Sequence, residues 1–212
     1  MRKHRRKNNF FKSKILEYIE NNAKYYILLL IVFFIGIILG ILFLNNINDN
    51  GKLQISNYIN DFLEYIRNNE NTKINIIILE SIKQNALMLI LICFIGTTII
   101  GAPLTYILIL YKGCSFAYTI SAIIGTLGLS KGLIISLAIL VPYLIYIPSI
   151  LSAGVSNIIL NKEILKNKRL ENLKSAFTKH LLMCLIMITL MIFSTIIQNY
   201  IWVLIKPIIV DF

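Results

Sequence analysis

Residues able to do chemistry are few in this chain, and their positions exclude most of it. The two histidines, His4 and His180, fall in polar stretches beside long apolar runs. Nucleophilic catalysis needs a Ser, Cys or Thr within hydrogen-bonding reach of a base. The apolar runs contain no His, Asp, Glu or Arg to act as one. A paired-carboxylate site fails too, because Asp49, Asp61 and Asp211 lie in loops or tail. Cys93, Cys114 and Cys184 are odd in number and widely spaced, with no Cys-x-x-Cys pair and no histidine at ligand spacing. They read as small hydrophobes, so neither a disulfide nor a metal site is expected. Gly113-Cys114-Ser115-Phe116 resembles a nucleophile turn, but small residues there serve helix packing. The expectation is a non-enzyme with no catalytic residue, cofactor or metal.

The remaining polar groups in the apolar runs are hydroxyls and amides: Thr97, Thr98, Thr105, Thr119, Ser136, Ser149, Ser152, Ser156, Asn157, Gln198 and Asn199. Such groups bond between helices or back to their own backbone. Ion-coupled transport generally uses charged groups facing a cavity, and these runs supply none of the carboxylates.

The elements that carry these residues are set by hydropathy. Of 212 residues, 57% are hydrophobic and 15% charged, against roughly 45–50% and about 25% in soluble domains. Tyr25–Leu44 is uncharged over twenty residues, enough at 1.5 Å per residue for a bilayer core of about 30 Å. Further uncharged runs cover Gln84–Tyr111, Gly113–Ser130, Gly132–Asn161 and Leu181–Ile205. The two longest contain helix breakers: Gly96, Gly101 and Pro103 in one, Pro142 and Pro148 in the other. Each is read as one kinked or tilted span, a broken helix or a re-entrant pair being the alternative.

Charge placement selects the topology. Five spans with the N-terminus inside put 15 Lys/Arg in the cytoplasm and 6 outside, as the positive-inside bias requires. The reading is therefore an all-α integral membrane protein of five transmembrane helices, N-terminus in and C-terminus out. A basic arm (1–24) precedes spans at 25–44, 85–111, 113–130, 132–161 and 181–205. An external loop (45–84), a basic cytoplasmic connector (162–180) and an external tail (206–212) complete it. No small-residue cleavage site follows the first run, which reads as an anchor.

Three features point to association. Gly36-x-x-x-Gly40 lets another helix approach closely, either a neighbour in the same chain or a second copy in a homo-oligomer, and Gly96 and Gly101 admit the same two readings. In the external loop, Ile55, Tyr58, Ile59, Phe62, Leu63 and Ile66 recur at helical spacing opposite Asn57, Asp61, Glu64 and Asn68. That amphipathic helix either caps its own bundle, lies on the bilayer, or offers Ile55, Ile59, Phe62 and Ile66 to a partner. The arm Arg2–Lys7, with Phe10, Phe11, Ile15, Leu16 and Ile19 behind it, suits the anionic inner leaflet of the lipid bilayer rather than nucleic acid.

The ordered series Gly36/Gly40, Ile100-Gly101-Ala102-Pro103, Lys112-Gly113, Gly128 with Lys131-Gly132, Val141-Pro142 and Ile147-Pro148 resembles the stage II sporulation protein M family. The five-span layout, basic arm and connector are similar too. Tyr143-Leu144 departs from the family's Gln-Asn, and Phe116-Ala117-Tyr118-Thr119 from its Gly-Phe-rich stretch. The resemblance implies a non-enzymatic scaffold in endospore formation. It would recruit peptidoglycan-degrading partners, stage II sporulation proteins D and P, to the septum for wall thinning and forespore engulfment. The implied location is the cell membrane, at the sporulation septum and the mother-cell engulfing membrane. The alternative is the permease subunit of an export ABC transporter, with the connector, including Ile164, Leu165, Leu170, Leu173 and Phe177, as its coupling helix.

Overall fold

The computed structural model describes residues 17–68, 83, 85–98, 100–166 and 170–210, without the side chains of 65–68, 170, 171, 199, 203 and 206–210. The polybasic start of the arm and the side chain of Ile66 lie outside the described residues. Nearly everything described is helix, with short connections and, among the described residues, no strand. Helix α1 is Ala23–Asn45, α2 is Asp49–Asn68 and α3 is the short Asn85–Ile95. A helical stretch Gly101–Lys166 follows, interrupted at Gly128, where φ is 78° and ψ 174°. Only glycine takes that backbone conformation readily, and the chain reverses there into two arms, α4 (101–127) and α5 (129–166). Helix α6 is Leu170–Val210. By length and apolar composition, three helices among the described residues can cross a membrane: Ala23–Asn45, Gly101–Lys166 and Asn172–Trp202.

Contacts give the relative directions. The Gly132 backbone faces Ile124, the Phe116 and Tyr143 rings lie 4.6 Å apart, and Gly154 faces Thr105 and Ile109. Partner numbers rise on one arm as they fall on the other, so α4 and α5 are antiparallel. Gly36 meets Leu110 and Gly40 meets Cys114, so α1 runs parallel to α4. Ser156 pairs with His180 and Pro142 with Ser194, which sets α6 antiparallel to α5. Asn85 meets Lys112 while Gly101 packs against Ile95, so α3 descends beside α4.

Helix α5 is central. From Ser149 to Asn161 nearly every side chain is buried, the pattern of a helix enclosed on all sides. One cluster joins it to α3 and α6 through Leu89, Ile92, Tyr146, Ile150, Met187 and Met191. Another joins it to α1 and α4 through Leu29, Phe33, Ile109, Leu151 and Val155. The outer surface is equally apolar: Phe34, Ile38 and Phe43 on α1 are 53%, 57% and 63% exposed. Water does not tolerate so continuous an apolar belt, whereas lipid does.

Several expected boundaries shift. The run 85–111 is not one kinked span, because Gly96–Gly101 turns the chain back and α3 and α4 lie side by side. Lys112, expected between two spans, sits inside α4. Gly113 needs no turn there, since helical backbone continues through it. Pro142 and Pro148, expected as breaks, lie within α5, where Gly128 is the one position with non-helical angles. Pro103 stands in the first turn of α4, where its missing amide proton is not needed. The connector is no separate helix: 162–166 extends α5 and α6 begins at Leu170.

A candidate functional site at a broken helix

Helix α3 ends inside the protein, and a helix end leaves its last four carbonyls without partners. All four are met here. The carbonyl of Ile92 accepts from Asn157 Nδ2 at 2.9 Å, and that of Cys93 from His180 Nε2 at 3.1 Å. Phe94 and Ile95 accept from the hydroxyls of Thr97 and Thr98 at 2.8 and 2.7 Å. In the turn itself, the Thr98 carbonyl accepts from Asn161 Nδ2 at 2.6 Å. Buried backbone that leaves a regular helix persists when protein groups satisfy it in this way. Each buried group left unpaired would cost about 1–3 kcal/mol.

The donors come from helical spacing. Asn157 and Asn161 are one turn apart on α5, and Asn157 also donates to Thr105 Oγ1 at 2.6 Å. Thr105 in turn donates to the Gly101 carbonyl at 2.7 Å. Gly96 has to be glycine because a Cβ there would land on the Asn157 carboxamide. At Gly101 a Cβ would lie 2.5 Å from the Ile95 carbonyl oxygen. These two glycines therefore serve the break, not a groove for another helix.

His180 corrects the picture of a solvated loop histidine. It is 4% exposed, and Ser156 Oγ lies 2.9 Å from its Nδ1. With Nε2–H donating to the Cys93 carbonyl, Nδ1 is the acceptor and the Ser156 hydroxyl donates. The absence of a serine–histidine pair inferred from sequence is thus overturned, since α6 begins ten residues before His180 and carries it inward. Ser156 lies mid-helix in α5. Cys93 and Cys184 are joined by a disulfide, Cα to Cα 6.1 Å, which corrects the expectation of unpaired thiols. It ties α3 to α6 beside the histidine. Below it, a pocket of about 390 Å³ is lined by Tyr18, Glu163 and Lys179 among others. Burial pushes the Tyr18 hydroxyl up to about 12, with Tyr26 adding to the rise and a bond to Ser156 opposing it.

Lys112 is the second ionisable group inside. Its ammonium donates to Asn85 Oδ1 at 3.2 Å and lies 4.8 Å from the centre of the Tyr146 ring and 5.5 Å from that of Tyr143. Cation–π attraction supports a charge there without a carboxylate. The interior is therefore not devoid of titratable groups, as the uncharged runs had suggested.

The profile of one family, stage II sporulation protein M, matches residues 29–201 and so takes in α1 through most of α6. The chain belongs to the stage II sporulation protein M family. No curated protein and no solved structure matches it.

In this stage II sporulation protein M family chain, Gly36 and Gly40 face α4. A Cβ on Gly36 would meet the Leu110 carbonyl, and one on Gly40 the Cys114 carbonyl. Gly113 reciprocates against the Phe33 carbonyl. The motif is used within the chain. Helix α2 lies across the far end of the bundle with Ile55, Ile59 and Phe62 turned inward, lining a cavity with Ile135, Tyr143 and Trp202. Phe62 meets the Trp202 ring at 6.0 Å, edge to face. The surface expected to receive a partner is instead the cap's inner face. Asn57, Tyr58 and Asp61 are among the residues that α2 exposes.

Several hydroxyls behave as expected, bonding to their own turns, as with Ser149 to Ile145 and Thr119 to Ser115, whereas the buried Ser136 hydroxyl meets no partner among the described residues. What the sequence reading missed was the site's assembly. The signal was present: His180, Cys184, Met187, Met191 and Ser194 recur every three or four residues, one buried stripe on α6.

Proposed function

We propose that this chain is a non-enzymatic membrane scaffold of endospore formation. It spans the membrane five times, N-terminus in and C-terminus out, and positions peptidoglycan-degrading partners of the stage II sporulation D and P type at the septum. Septal thinning and engulfment of the forespore depend on that placement. The family match over residues 29–201 carries this reading.

The structure supplies supporting detail. Lys162 Nζ donates to Tyr25 Oη at 3.2 Å, so the basic connector lies at the same end as the start of α1. Two basic segments at one end suit a cytoplasmic face, and α2 then caps the opposite, wall-facing end. The inward polar groups are consumed in holding a broken helix, which suits a fixed platform better than a turnover site. A partner would meet Asn57, Tyr58 and Asp61, where Tyr58 is 75% exposed.

Deletion in a sporulating host, followed by membrane-dye microscopy, tests the role. A septum that never surrounds the smaller cell supports it, and unimpaired engulfment contradicts it. Tyr58→Ala with Asp61→Lys then tests the surface: recovery of the wall-degrading partners should fall while the protein stays in the membrane. Full recovery removes that surface from the account.

A further inference from the structure

Between α2 and the bundle lies a cavity of about 700 Å³, partly open to the outside and walled mainly by apolar side chains, Phe62, Leu127, Ile135, Ile139 and Trp202 among them, with Gln54, Thr119 and Gln198 as polar members. Ligand sites are typically concave and mostly apolar, with a few polar groups that orient the occupant.

A second cavity, of about 560 Å³, adjoins the first, and Ile55 and Ala122 line both. Its character is different: Asn45, Asp49, Lys52, Ser56, Ser121 and Thr126 are among its walls. Lys52 Nζ lies 3.7 Å from Asp49 Oδ1, so one cation and one anion stand side by side at its rim. A polar compartment bearing both charges, joined to a larger apolar one, has the form of an amphiphile with a zwitterionic head.

We propose that the two cavities form one binding site for a zwitterionic phospholipid such as phosphatidylethanolamine. The acyl chain fills the space between α2 and the bundle. The phosphate faces Lys52 and the ammonium faces Asp49, while the hydroxyls of Ser56, Ser121 and Thr126 supply further hydrogen bonds. The occupant is a lipid because the bundle's apolar outer belt places these cavities in reach of the bilayer, and α2 closes over the bound molecule. The inference shares the membrane setting of the proposed function but does not depend on which partners are recruited.

Trp202 is the one tryptophan of the chain, and it lines the apolar cavity. The full-length protein in detergent is titrated with phosphatidylethanolamine carrying brominated acyl chains, which quench indole fluorescence on contact. Saturable quenching is expected. Ala122→Phe, which fills the wall common to both compartments, should reduce its amplitude several-fold. Lys52→Glu, on an exposed side chain that the fold does not need, should move the midpoint about tenfold. Phosphatidylglycerol with the same chains should bind more weakly, having no ammonium for Asp49. Quenching that rises linearly with lipid and is equal in the wild type and both variants would reduce the contact to bulk lipid and overturn the proposal. Equal midpoints for the two phospholipids would overturn it as well. Should Ala122→Phe fail to fold, the Lys52→Glu midpoint decides.

Discussion

The two ends of the bundle are built on opposite principles. At the end holding Gly96, Asn157 and His180, every carbonyl of the terminating helix has a donor, and backbone approaches side chain so closely that a single methyl group has no place. At the end under α2, a cavity of about 700 Å³ separates helix from bundle. One end is pinned by hydrogen bonds from α5 and α6 to carbonyls of α3, although Asn157 Oδ1 itself meets no partner among the described residues, and the other meets the bundle through one apolar face.

The contrast is breakable. Gly96→Ala should have the largest effect, since Asn157 must give up both its partners. A loss on the order of 3–5 kcal/mol is expected in thermal unfolding in detergent, and an unchanged midpoint would mean the tight end is not tight. Gly36→Leu presses on the Leu110 carbonyl and should push α1 from α4. Overpacking of this kind costs about 1–3 kcal/mol, and it should also abolish a disulfide engineered between α1 and α4. Tyr18 sharpens the comparison through pH. Its folded-state value is raised from 10.0 to about 12, so the protonated hydroxyl contributes stability that is full below pH 10 and lost as pH climbs towards 12. Tyr18→Phe should flatten the unfolding midpoint across that window. Phe62→Ala should matter least, within about 1 kcal/mol, because the side chain borders a space already present. A large loss there would show that α2 is packed as firmly as the core.

Much of this was legible beforehand. Helix α1 follows directly from hydropathy, and Lys131 between two uncharged runs put a turn three residues from Gly128, where the chain reverses. The alternating directions of the helices agree with the charge bias that places arm and connector together. Lys112 misled because a lone lysine between uncharged stretches looks like a loop, whereas Asn85 and two tyrosine rings receive it inside α4. His180 misled because six basic residues precede it in the connector, yet its spacing with Cys184 and Met187 belongs to α6. Prolines drew attention as breakers, but Pro142 and Pro148 lie within continuous helix, and glycines made the breaks. Which face of α2 met the bundle was not decidable from periodicity, which gives an apolar stripe but not what lies against it.

Ser156→Ala, introduced into the chain and returned to a deletion host, tests the central claim most directly. If Ser156 and His180 hold the broken helix and perform no reaction, the variant loses its hydrogen bonds to His180 and Tyr18, about 1 kcal/mol each, and the engulfing membrane should still surround the forespore under membrane-dye microscopy. A block as complete as that of the deletion, with the variant present and folded in the membrane, would contradict a purely structural role.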